Sequence, residues 1–150
     1  GCGNDDDSDS TPRPTMTGVH KIELDISGNP LYFGTFTYVV SIADVREGGI
    51  RLTADPRYAI YDADKDFSSN TGSMAGFFEL TGNLHRTFYT SDNSKGLMLY
   101  LSTTPTEYQG KGHEVTVTAK GYVNDVLVSR QTAVWSSKVG SECKLSLTTF

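Results

Sequence analysis

Apolar and polar residues alternate along most of this chain with the period of an extended strand. Ile22, Leu24 and Ile26 alternate with Lys21, Glu23 and Asp25, so residues 19–27 present one apolar and one charged face. Phe36, Tyr38, Val40 and Ile42 repeat the pattern in a longer run that ends at Arg46-Glu47-Gly48-Gly49. Ser27-Gly28-Asn29-Pro30 separates the two runs as a turn cluster. Shorter runs follow at residues 50–53 and 58–61. Residues 76–81 and 84–90 flank Gly82-Asn83, a pair that predicts a tight hairpin. Leu97-Met98-Leu99-Tyr100-Leu101 is apolar without a break, as in a strand covered on both faces.

The sharpest local signal lies near the end. Residues 114–123 and 126–135 flank Asn124-Asp125, a pair that tolerates the positive φ of a two-residue turn. Such a turn sets Val123 opposite Val126, Val117 opposite Thr132 and Val115 opposite Val134. Residues 144–150 read as a last strand, and no segment repeats apolar residues every three to four positions as a helix does. Roughly seven to nine short strands without helices predict an all-β fold, an antiparallel β-sandwich in preference to a lipocalin-like barrel.

Composition then divides the chain. Residues 1–17 hold Asp, Ser, Thr and Pro with almost nothing apolar, and read as a disordered tether; residues 18–150 form the β domain. That body is long enough for one core and too short for two ordinary domains. Of the net charge of −5, four Asp and one Arg put −3 in the tether. The remaining −2 leaves no basic stripe to neutralise phosphates, which excludes a nucleic-acid binder. No apolar run approaches the ~20 residues of a membrane-spanning helix.

Candidate chemistry is sparse. Asp62-Ala63-Asp64-Lys65-Asp66 spaces three carboxylates at alternate positions, a donor set that suits Ca²⁺. An EF-hand is excluded, because its sixth position is Phe67 and its twelfth Ser73. His20, His85 and His113 are too far apart for zinc-ligand spacing, and each reads as a surface or strand-edge residue. Gly72-Ser73-Met74-Ala75-Gly76 places its serine second of five, unlike a nucleophile elbow. No arrangement of nucleophile and base emerges, so the expectation is a non-catalytic protein. Cys143 sits in an alternating segment and reads as a buried structural thiol. Aromatics are the better clue. Tyr58, Tyr61 and Tyr108 flank Asp- or Gly-rich loops, where rings stack on sugars or anchor a protein partner.

Two resemblances add an address. Cys2 followed by Asp5, Asp6, Asp7 and Asp9 resembles the lipidated cysteine and acidic export signal of Bacteroidetes-type surface lipoproteins. It implies lipid attachment at Cys2, a signal peptide already removed, and an outer-membrane anchor facing the cell exterior. The run from Val115 to Val128 is similar to the closing hairpin of immunoglobulin-like modules, and the whole layout resembles small Bacteroidetes lipoproteins with such folds. The Cys–Trp–Cys spacing of true immunoglobulin domains is missing. These resemblances imply a surface binding module for a glycan or protein ligand. The alternative is a structural part of a fimbrial, conjugative or transporter assembly, which needs an open strand edge such as Val126-Leu127-Val128 or residues 145–150.

Overall fold

The computed structural model describes residues 7–9, 16–46, 49–52, 59–106, 113–138, 140 and 142–150. Twelve strands occupy them. In chain order they are β1 (Asp7–Asp9), β2 (His20–Gly28), β3 (Phe36–Arg46), β4 (Gly49–Leu52), β5 (Ile60–Asp62) and β6 (Phe67–Ser69). Then come β7 (Ser73–Phe78), β8 (Leu84–Thr90), β9 (Leu97–Thr103), β10 (Glu114–Val123), β11 (Val126–Ser136) and β12 (Cys143–Thr148). A 3₁₀ turn at Pro30–Tyr32 is the only helical element among the described residues.

The strands form two antiparallel sheets. The first runs β1-β11-β10-β2-β8-β5-β6, and the second runs β12-β9-β3-β4 with β7 also paired to β3. The sheets stack as a sandwich, not a closed barrel. Period-two alternation supplies the interior. Ile22, Leu24, Ile26, Val115, Val117 and Trp135 of the first sheet are fully buried, against Phe36, Val40, Ile42, Leu97, Leu99 and Leu101 of the second. Trp135 and Phe36 stack across the gap with centroids 6.5 Å apart.

Two expectations change here. Gly82-Asn83 does not close a hairpin: β7 pairs with β3 and β8 pairs with β2, so this segment carries the chain between sheets. The turn chemistry was local, while the apolar faces of Met74-Phe78 and Leu84-Phe88 needed opposite layers. Leu97–Leu101 is not covered on both sides, because Tyr100 is exposed on the outer face. The apolar run is an alternating strand whose outward positions happen to be apolar.

The β10–β11 hairpin forms with Asn124 and Asp125 at φ 47° and 65°. Val123 pairs with Val126 as expected, but beyond Gly121 the register slips by one, pairing Val117 with Ala133 and Val115 with Trp135. A one-residue bulge in β11 causes the slip. It turns Ala133 and Trp135, in place of Thr132 and Val134, toward the core. The bulge sits where Gly121 lies against Ser129, whose hydroxyl donates to the Thr148 carbonyl at 2.6 Å. The expected tether also contributes structure, since Asp7–Asp9 adds β1 to the outer edge of β11.

A side chain at Gly121 has no room, because its Cβ overlaps Ser129 Oγ and crowds Thr149. Gly121→Ala is therefore expected to cost about 1–3 kcal/mol, read as a lower urea midpoint at unchanged slope.

Candidate functional site

The inward face of β8 reads Leu84, Arg86, Phe88, Thr90, and a guanidinium stands where the pattern calls for an apolar side chain. Arg86 lies in register with the buried Leu24 of β2. Its Cζ sits 5.4 Å from the centre of the Phe78 ring. Phe78 in turn stacks on Tyr38 at 4.7 Å and 11°, and Tyr38 tilts against Phe88 at 5.3 Å. Gly76 faces Tyr38 in the β3–β7 ladder, and a Cβ there would stand 2.8 Å from the Tyr38 hydroxyl. A glycine at that position lets the Tyr38 ring lie across β7.

Between the layers these residues enclose a cleft of about 250 Å³, walled by Tyr38, Phe78 and Arg86 with Asp62, Lys65 and Glu79 around it. Arg86 Nη1 donates to the His85 carbonyl at 3.0 Å. Its Nε is buried and meets no acceptor among the described residues. Leaving a donor in that state costs about 1–3 kcal/mol. Burial raises the Tyr38 hydroxyl above its usual pKa of 10.0, nearby Asp62 adds to the rise, and Arg86 opposes it. The phenol therefore stays protonated and able to donate at neutral pH.

The three aspartates of the calcium expectation are placed but do not converge. Asp62 is buried, and its Oδ1 accepts the backbone N–H groups of Asp64 (3.0 Å) and Lys65 (3.3 Å). Asp64 Oδ2 instead reaches the Thr87 amide, and Asp66 takes φ 49° in the β5–β6 turn. No group of three metal-binding side chains gathers among the described residues. The turn engages Asp62 Oδ1, and the Thr87 amide of β8 engages Asp64 Oδ2. Tyr61 stacks on Tyr89 at 4.9 Å and, with Asp62, Asp66 and Phe67, lines a neighbouring pocket of about 300 Å³. Tyr58 and Tyr108 lie outside the described residues.

Among the histidines, His20 departs from the surface position expected of it, while His85 keeps to it. His20 is fully buried, with Nε2 2.7 Å from the Met16 carbonyl and Nδ1 2.6 Å from Thr149 Oγ1. Burial lowers its pKa below 6.5, against smaller opposing effects of backbone hydrogen bonds. His85 is exposed and bonds Asp25 at 2.7 Å, which raises its pKa. His113 stacks on Tyr32 with centroids 3.6 Å apart. Cys143 is buried as expected but is disulfide-bonded, not a free thiol. On the outer face of the second sheet, Phe77 (66%), Val39 (41%) and Tyr100 (38%) are exposed. Arg86, Tyr38 and Phe77 were missed by sequence reasoning. The signal for Arg86 was present, since Leu84-x-Arg86-x-Phe88 interrupts an apolar alternation.

No protein-family model matches the chain, and no curated protein matches it. Two solved structures share its fold. One is a DUF4425 family protein from Bacteroides ovatus, with TM-score 0.67 and 20% identity over 89% of this chain and 97% of that one. The other is a domain of unknown function, DUF4425, from Bacteroides vulgatus, with TM-score 0.60 and 21% identity over 90% and 95%. At that identity the likeness establishes the fold.

A histidine whose folded pKa lies below its unfolded value holds stability above pH 6.5 and loses it as pH falls toward the folded value. His85 acts in the opposite sense, its contribution being complete below pH 6.5 and lost as pH rises. In a His85→Gln background the urea midpoint is accordingly expected to drop between pH 7.5 and 5.5. His20→Gln added to it should flatten that dependence.

Proposed function

We propose that this chain is a lipid-anchored surface protein of Bacteroidetes type whose immunoglobulin-like sandwich is a non-catalytic binding module for a glycan or protein ligand. The single observation that carries the reading is the interlayer cleft. An aromatic wall and a half-buried guanidinium whose buried Nε has no acceptor among the described residues surround a space large enough for one small ring. The cost of such a donor disappears on replacement by an apolar residue of like shape. A ligand that accepts its hydrogen bonds gives a reason to keep it. The exposed Phe77 beside the mouth adds apolar surface for the remainder of a longer ligand.

The alternative role in an envelope assembly draws on a different region. Val126 and Leu127 at the tip of the β10–β11 hairpin are 62% and 51% exposed. They lie on β11, whose outer edge pairs with β1 at residues 130–132 among the described residues. A strand or apolar segment from another protein fits there. A pull-down that survives closure of the cleft and is lost in Val126→Lys/Leu127→Lys favours this reading.

The anchor reading rests on Cys2 followed by Asp5, Asp6, Asp7 and Asp9. Expression in a Bacteroidetes host followed by mass spectrometry tests it. The expected result is an acylated N-terminal peptide and loss of membrane association in Cys2→Ala. An unmodified Cys2 peptide with soluble protein would remove the anchor. A thermal-shift screen of neutral and acidic glycan fragments tests the binding module. A fragment at about 100 times its Kd should stabilise the fold by about 2.7 kcal/mol.

A further inference from the structure

The interlayer cleft contains more chemical information than its volume. Arg86 uses Nη1 on the His85 carbonyl, its single hydrogen bond among the described residues. The free side of the guanidinium is therefore the Nε–Nη2 edge, two parallel N–H vectors that fit the two oxygens of a planar carboxylate. Nε, already buried and unpaired, is the atom such a ligand would satisfy. Lys65 lines the same cleft and adds positive charge.

The other groups limit what the anion is attached to. Asp62 and Glu79 share the cleft with Arg86 and Lys65, so the four formal charges balance. A dianion such as phosphate adds two negative charges to that neutral set, and a single carboxylate adds one. A single carboxylate surrounded by hydroxyl groups fits better, because hydroxyls donate to Asp62 and Glu79 and the Tyr38 phenol donates to a ring or hydroxyl oxygen. Tyr38 and Phe78, stacked on each other, add apolar ring edges to the wall of the cleft. A volume of about 250 Å³ lies below the ~300 Å³ at which drug-sized pockets begin, and suits one sugar unit. We infer that the cleft binds a carboxylate-bearing sugar, a hexuronate at the end or branch of an acidic glycan, with the carboxylate on the Nε–Nη2 edge of Arg86. This rests on the binding-module reading and names its ligand class.

Isothermal titration of the full chain with galacturonate and glucuronate, their disaccharides, galactose, glucose, inorganic phosphate and N-acetylalanine tests it. The expected result is saturable uronate binding at least about tenfold tighter than the matching neutral sugar. Arg86→Gln should abolish that preference, and Arg86→Lys, which keeps the charge and loses the fork, should restore only part of it. Glu79→Trp, at an exposed position on the rim, should block uronate binding with the fold intact, which covers the case in which the Arg86 variants do not fold. Equal binding of neutral and acidic sugars overturns the carboxylate assignment and leaves the glycan module standing, as does a uronate preference unchanged by Glu79→Trp. Tighter binding of phosphate or N-acetylalanine than of uronates overturns the sugar acid. Absence of binding by every sugar overturns this inference and the glycan reading together.

Discussion

Two apolar sheet faces must stay dry against each other for this chain to hold any shape, and period-two alternation is the means. Ile22, Leu24 and Ile26 and then Val115 and Val117 line up on one side, opposite Val40, Ile42, Leu97, Leu99 and Leu101. Burial of a side chain of this size is worth about 1.5–3 kcal/mol. A slip of one residue in any ladder would send a whole set to solvent. The bulge beside Gly121 shows the constraint at work. The turn at Asn124-Asp125 fixes one register, the core requires another for Trp135, and the extra residue in β11 reconciles them.

Against that background Arg86 is costly. It occupies an inward position on a central strand, in register with Leu24, and its Nε has no acceptor. Its neighbours are arranged around it rather than against it. Gly76 makes room for Tyr38, Tyr38 and Phe78 form a flat wall beside the guanidinium, and Asp62 brings a negative charge near while its Oδ1 serves the β5–β6 turn. Places where a sequence breaks a local rule without compensation inside the fold are where function is best sought. The exposed Phe77, Val39 and Tyr100 break the usual pattern less sharply, since isolated apolar residues are common on surfaces.

Strand positions were legible because alternation is local. β8 begins and ends where the apolar period predicted, and the Asn124-Asp125 turn was specified by its own residues. Pairing was less legible, because it depends on what the other sheet demands. Gly82-Asn83 has the chemistry of a hairpin turn and serves instead as a crossing between layers. For the candidate site, sequence reasoning placed Tyr61, Asp62 and Asp66 near one another, and all three line one pocket. It assigned the carboxylates of Asp62 and Asp64 to a cation, and the structure shows one oxygen of each accepting from backbone amides. Spacing shows that oxygens are close along the chain, and only the turn shows where they point. Arg86, Tyr38 and Phe78 lie on β8, β3 and β7, so no window of sequence contains the cleft.

The most direct test is the Arg86 Nε–H signal in a ¹⁵N-resolved NMR titration with galacturonate, read against galactose. The account predicts a signal that moves saturably and exchanges more slowly with water as uronate is added, and that stays still with the neutral sugar. An Nε–H signal unmoved by uronate while other resonances respond would place binding elsewhere and contradict the role assigned to the cleft.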